Sequence, residues 1–229
     1  MFGSSYNMTY RSAEEINTAM GRVYGYMALA TFISMIVSYA VGSNPELVKF
    51  FFTGWMHWVV MLAPIGAVFL LVPFIGSNPP KQLSIMALGA FSGLMGLSFA
   101  VIFAIYTMAS IFNAFMGAAV LFGVMSGYGY FTKQSLDSLG KYLMIALIAI
   151  IITSLINIFI GSSMLQMIIS AVAILVFMGL TAYDTQQIRE NLMYEDSNDS
   201  VEVLGALSLY LDFINIFLSL LQLFGDKKD

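Results

Sequence analysis

What most constrains this chain is how its charges are spaced. They leave seven apolar stretches long enough to cross a membrane, at about 22–41, 52–75, 83–105, 110–130, 141–160, 163–188 and 202–224. A helix spanning a bilayer needs about 20 mostly apolar residues. In lipid every backbone N–H and C=O must be satisfied within the segment, so runs of this length have to be helices. The breaks carry turn chemistry: Gly42-Ser43-Asn44-Pro45, Gly76-Ser77-Asn78-Pro79-Pro80 and Gly161-Ser162-Ser163. The break at Tyr106–Ala109 is the weakest. The chain reads as an all-α membrane protein, a seven-transmembrane-helix bundle, with residues 1–229 forming a single integral membrane domain.

Composition removes several classes of function. Charged residues make up 10% of the chain, where a soluble domain has about 25%. After the start, the longest hydrophilic stretch runs only from Arg189 to Ser200, too little for a catalytic domain. With no cysteine, disulfide and thiol chemistry are absent. The single histidine, His57, cannot build the multi-histidine centre of a membrane zinc hydrolase. It lies between Trp55 and Trp58 and reads as part of an interfacial belt. A net charge of −4 argues against nucleic acid as a partner. The last span has no mid-span lysine for a retinal Schiff base. The first twenty residues, with Arg11, Glu14 and Glu15, are too polar for a signal-peptide core. The expectation is a protein that is not an enzyme and holds no resident cofactor.

Orientation follows from Lys and Arg in short loops. Arg11, Arg22, Lys81, Lys133, Lys141 and Arg189 fall on one side, against Lys49, Lys227 and Lys228 on the other. This six-to-three bias predicts a cytoplasmic N-terminus and a C-terminus outside.

Two carboxylates interrupt the apolar spans. Asp184 lies in the sixth and Asp212 in the seventh. A charge at helix centre costs roughly 2.5–3.5 kcal/mol on insertion scales, so such residues usually mark ion or proton sites or polar pairs. Around Asp212, the residues Ser208, Asn215, Ser219 and Gln222 complete one helical stripe at spacings of 4, 3, 4 and 3. That stripe is either a hydrogen-bonded packing seam or a lining for protons or cations. In the sixth span Thr181, Asp184, Thr185 and Ile188 share a face. Asp184 is near the helix C-terminus, where the macrodipole disfavours a negative charge.

Whether the two aspartates meet depends on helix length. If the sixth helix stopped at Arg189, Asp184 would lie about 7 Å from that end and Asp212 about 16 Å from Val201, at 1.5 Å per residue. Continuation through Leu192 to Met193 or Tyr194 would match their depths. Elsewhere, Gly21/Gly25, Gly89/Gly93, Ser92/Gly96 and Asn113/Gly117 are pairs suited to close helix contact. Pro64 and Pro73 are positioned to kink the second span. The acidic stretch Glu190, Glu195, Asp196, Asp199 and Glu202 reads as a solvated loop, with a weak cation site as the sharper reading.

The two aspartate motifs also carry a family likeness. Gly179–Gln187 (GLTAYDTQQ) and Leu207–Phe217 (LSLYLDFINIF), then Leu220-Leu221 and Phe224-Gly225, resemble the last two helices of the Bax inhibitor-1 family. Tyr106-Thr107 with Ala109-Ser110, Gly123–Gly129 and Tyr128–Lys133 resemble its third and fourth helices, and Arg22-Val23-Tyr24-Gly25 the start of its first. The likeness runs from about residue 20 to the C-terminus and is greatest to the bacterial inner-membrane branch. It implies a seven-helix bundle with the last helix central, in a bacterial inner membrane. It also implies a pH-sensitive calcium leak whose sensor is an aspartate pair, matched here by Asp184 and Asp212. In some members an arginine of the second helix latches that pair. The second span here has no Arg or Lys, leaving Arg22 or Arg189 as substitutes.

Two functions stay open at this point. One is a cation leak gated by Asp184 and Asp212, with calcium as the transported species. In it Ser208, Asn215, Thr181 and Thr185 support the site, with Tyr210 as a further oxygen, and protons compete with calcium for the carboxylates. The other is a non-conducting regulator that binds membrane partners, such as a membrane protease or cell-death and stress factors.

Overall fold

The computed structural model describes residues 11–193 and 199–228. Among them are eight helices: α1 (Ala13–Gly42), α2 (Pro45–Phe52), α3 (Met56–Gly76), α4 (Lys81–Ile105), α5 (Met108–Phe131), α6 (Asp137–Ile160), α7 (Ser163–Asn191) and α8 (Asp199–Phe224). All except α2 are long and apolar enough to cross a membrane, seven in total. The seven spans expected from the sequence are these seven helices. The second begins at Met56, not 52, because Pro45–Phe52 forms a separate short helix. The chain is a multi-pass membrane protein.

Local chemistry sets the helix ends. Ser12 and Glu15 form a reciprocal capping box at the start of α1, with Ser12 N–H donating to Glu15 at 2.8 Å. Asn44 caps α2, whose first residue is Pro45. Thr107 caps α5 through Ser110 N–H at 3.2 Å, which reduces the weak break at Tyr106–Ala109 to Tyr106 and Thr107 alone. The C-terminal tail closes over that break: Thr107 N–H donates to Asp226 O at 3.1 Å, and Lys228 N–H to Ile105 O at 2.8 Å. Gly161 ends α6 at φ 69°, a left-handed cap that glycine adopts without penalty.

Helix α8 is the axis of the bundle. It packs against α1, α3, α4, α5 and α7. Most of its side chains are buried, with Ala206, Leu209, Tyr210 and Ile216 fully enclosed. By contrast α6 packs chiefly on α7 and turns Ile148, Ile152, Leu155 and Phe159 outward. Helices α1 and α4 cross closely at Gly96, where an added Cβ would lie 2.6 Å from Ser34 O. There Ser34 Oγ donates to Ser92 O at 2.7 Å. So Ser92/Gly96 is a close-contact pair, whereas Gly21, Gly25 and Gly93 have open space around them.

Candidate functional site

The seam between α7 and α8 has a register fixed at both ends. Ser208 Oγ donates to Asp184 Oδ2 near one end. At the other, Ser170 Oγ donates to Gln222 Oε1 at 3.0 Å, and Gln166 Nε2 donates to the same oxygen at 2.8 Å. Asp184 and Ser170 are fourteen residues apart, as are Ser208 and Gln222, so the two antiparallel helices stay in step. The polar stripe of the last span therefore faces α7.

That register separates the two aspartates. Asp212 follows Ser208 by one turn and is level with Leu180, about 6 Å further along the seam at 1.5 Å per residue. The depth match expected from a long sixth helix is not found. Helix α7 passes Arg189 but ends at Asn191 with Leu192 as its cap, while α8 starts at Asp199, about a turn ahead of the expected start. Tyr194 lies outside the described residues. Ser208 bonds Asp184. Asp212 is 5% exposed, and its Oδ2 has no hydrogen-bond partner among the described residues.

Asp184 is reached from outside the bundle. A cavity of about 410 Å³ runs from Asn191 and Val201, at the ends of α7 and α8, down to Asp184, Ser208 and Leu211. Val72 of α3 lines one wall. Leu211 stands on the floor, and Asp212 is not among the lining residues. One carboxyl is thus half-buried at the foot of a cavity, and the other is enclosed one turn deeper.

A family model described as "Inhibitor of apoptosis-promoting Bax1" matches residues 16–229. The chain belongs to the Bax inhibitor-1 family. The inner membrane protein YbhL of Escherichia coli K12 is 35% identical over 219 residues, covering 93% of each chain. An uncharacterized protein of Rickettsia prowazekii is 36% identical over 221 residues, covering 94% of this chain and 92% of its own. One from Deinococcus radiodurans is 34% identical over 226 residues, with 96% and 94% covered.

Within this Bax inhibitor-1 protein the remaining polar residues divide among other partners. Thr185 meets Ser126 at 3.0 Å, which meets Tyr24 at 2.6 Å, tying α7 to α5 and α1. Thr181 donates to Phe177 O of its own helix. Gln186 holds the α5–α6 loop, accepting from Leu136 N–H at 2.7 Å and donating to Gln134 O at 2.9 Å. Asn215 Nδ2 donates to Leu211 O at 2.8 Å. Tyr210 is turned to α1, its hydroxyl 2.7 Å from Ser34 Oγ, and is not on the seam. Neither substitute arginine reaches the aspartates. Arg189 lies over the Tyr130 ring at 5.2 Å, and Arg22 pairs with Glu202 through Nε at 2.9 Å. Among the described residues no cationic side chain is paired with Asp184 or Asp212.

Glu202 corrects the reading of the acidic stretch as a solvated loop. It is 3% exposed and also accepts from Lys81 Nζ at 3.1 Å. The triad ties the body of α1 to the first turns of α4 and α8, and Ser200 of α8 hydrogen-bonds Asn78 at 2.9 Å. A signal for it existed: Arg22, Lys81 and Glu202 all stand where a span meets the same side of the membrane. Glu195 and Asp196 lie outside the described residues. Among the described residues no three His, Asp or Glu side chains gather as a metal cluster.

Proposed function

We propose that this protein is a pH-sensitive calcium leak of the bacterial inner membrane, gated at the α7–α8 seam by Asp184 and Asp212. The observation that carries this reading is the unpartnered carboxyl of Asp212, one turn beyond a carboxyl that lines an open cavity. An ionised carboxylate without a partner is costly in an apolar bundle, so the site is held by a proton or by a cation. Calcium as substrate favours carboxylate and other oxygen ligands. Asp184, Ser208 and Asp212 supply them in sequence along one seam, with Asn215 and Ser219 continuing the same stripe. A proton on either carboxyl removes charge that calcium needs. Protons and calcium therefore compete, and calcium occupancy of the seam falls as pH falls. Either occupant screens the two carboxyls differently and shifts α7 against α8.

The second reading is a non-conducting regulator that binds membrane partners, among them a membrane protease or stress factors. The family description, an inhibitor of an apoptosis-promoting protein, favours it. Flux through purified protein in liposomes separates the two. Asp184→Asn and Asp212→Asn each keep size and remove titration, and each flattens the pH dependence of calcium flux in a folded protein. A folded mutant with the wild-type pH profile removes the pair as sensor. Wild-type liposomes without flux at any pH leave the regulator.

A further inference from the structure

At the other end of the molecule two cavities adjoin. The inner one, about 400 Å³, lies between α1, α4, α5 and α8. Its walls are apolar, including Ile102, Phe115 and Phe217, and it extends along α1 from Thr31 to Tyr39. That distance is about 12 Å at 1.5 Å per residue, most of one leaflet's half of a roughly 30 Å hydrocarbon core. Met35, Phe112 and Met116 line it and are also exposed, so the cavity opens sideways at the level of lipid. The outer cavity, about 740 Å³, is mixed in character: Val48, Phe52 and Ala104 line it together with Ser43, Thr53, Lys49 and Lys228. Tyr39, Phe103 and Met108 line both, so an apolar slot and a cavity carrying two lysines lie side by side. The Tyr39 and Phe103 rings meet edge to face at 5.7 Å where the two cavities adjoin.

We propose that the two adjoining cavities together bind one anionic phospholipid, one of its acyl chains in the slot between α1 and α5 and its phosphate between Lys49 and Lys228. Charge and position both select that occupant. Neither Glu46 nor Asp226, the described acidic residues of this end, lines the outer cavity. Lys228 Nζ is directed here by its bond to Phe103 O at 2.7 Å, and an ammonium keeps two further donors. Exposed Phe50, Trp55 and Trp58 surround the outer cavity's helix α2 and its link to α3, an aromatic belt of the kind found at headgroup level. Inside the slot the hydroxyl of Ser38, a residue 3% exposed, has no partner among the described residues. The slot also touches Phe213, Ile214 and Phe217 of α8, so a bound tail braces the helix that carries Asp212. The site stands independently of the calcium reading.

The test is native mass spectrometry of the purified full chain with palmitoyl-oleoyl phosphatidylglycerol and, separately, phosphatidylcholine of the same tails. Two lysines near an anionic headgroup attract it electrostatically, so the double variant Lys49→Gln/Lys228→Gln loses at least tenfold in phosphatidylglycerol affinity. Ser38→Leu fills the slot and lowers retention of both lipids. Where Ser38→Leu does not fold, Met116→Trp narrows the slot from its exposed side and replaces it. Millimolar inorganic phosphate does not displace the lipid, because the tail is part of the ligand. Equal affinity for the two lipids overturns the proposal. So does an unchanged double variant, an equal loss in the opposite-end control Lys133→Gln/Lys141→Gln, or displacement by phosphate alone.

Discussion

Asp212 can be tested through stability as well as flux. Its carboxyl is enclosed and its Oδ2 makes no hydrogen bond among the described residues. A buried polar group left unsatisfied costs about 1–3 kcal/mol. Leucine has the same number of side-chain heavy atoms with the same branching, so Asp212→Leu removes that cost with little overpacking. We expect the variant to be more stable by about 1–2 kcal/mol, which is roughly 2–8 °C in Tm for a chain of this length. Asp212→Asn still leaves polar atoms unpartnered and stays near wild type. Equilibrium unfolding in mixed micelles, at one fixed pH, reads all three proteins. The same Leu variant loses pH-dependent flux, so stability and activity move in opposite directions, as they do where a site is kept for function. Destabilisation of Asp212→Leu by more than about 1 kcal/mol, the size of an ordinary hydrogen bond, would falsify this reasoning, because the carboxyl would then be holding helices together.

Glu202→Gln leaves Arg22 and Lys81 facing a neutral amide. A fully buried pair broken this way costs about 3–5 kcal/mol. Arg22 is 42% exposed, so the expected loss is nearer 2 kcal/mol once solvent screening is allowed for. A change under about 0.5 kcal/mol in the same unfolding assay, the range of ordinary surface substitutions, shows the triad to be idle. Gly96→Val drives a side chain into the backbone of Ser34. It should cost about 3 kcal/mol or more, and a wild-type melting curve would rule out the close α1–α4 crossing. Finally, C-terminal reporter fusions should be active only outside the cytoplasm, as the loop charge bias requires. A fusion active only in the cytoplasm overturns the orientation.

The spans could be read from the sequence because both of their determinants are local. An apolar run of about 20 residues forces a helix in lipid, and Gly161, Pro45, Asn44 and Thr107 end or start helices through their own backbone and side chains. The stripe through Ser208, Asp212, Asn215 and Ser219 is local too, being a matter of 3.6 residues per turn. Tertiary structure alone decided which helix the stripe meets and at what register. That register comes from side chains packed across the seam, such as Gly205 against Ile188 and Ser170 against Gln222. It sets Asp184 beside Ser208 and leaves Asp212 a turn deeper. The partners of Arg22 and Arg189 are likewise set by chain approach between distant segments, Glu202 for one and Tyr130 for the other. A one-turn displacement between two helices leaves every local pattern intact, so only packing between them can fix it.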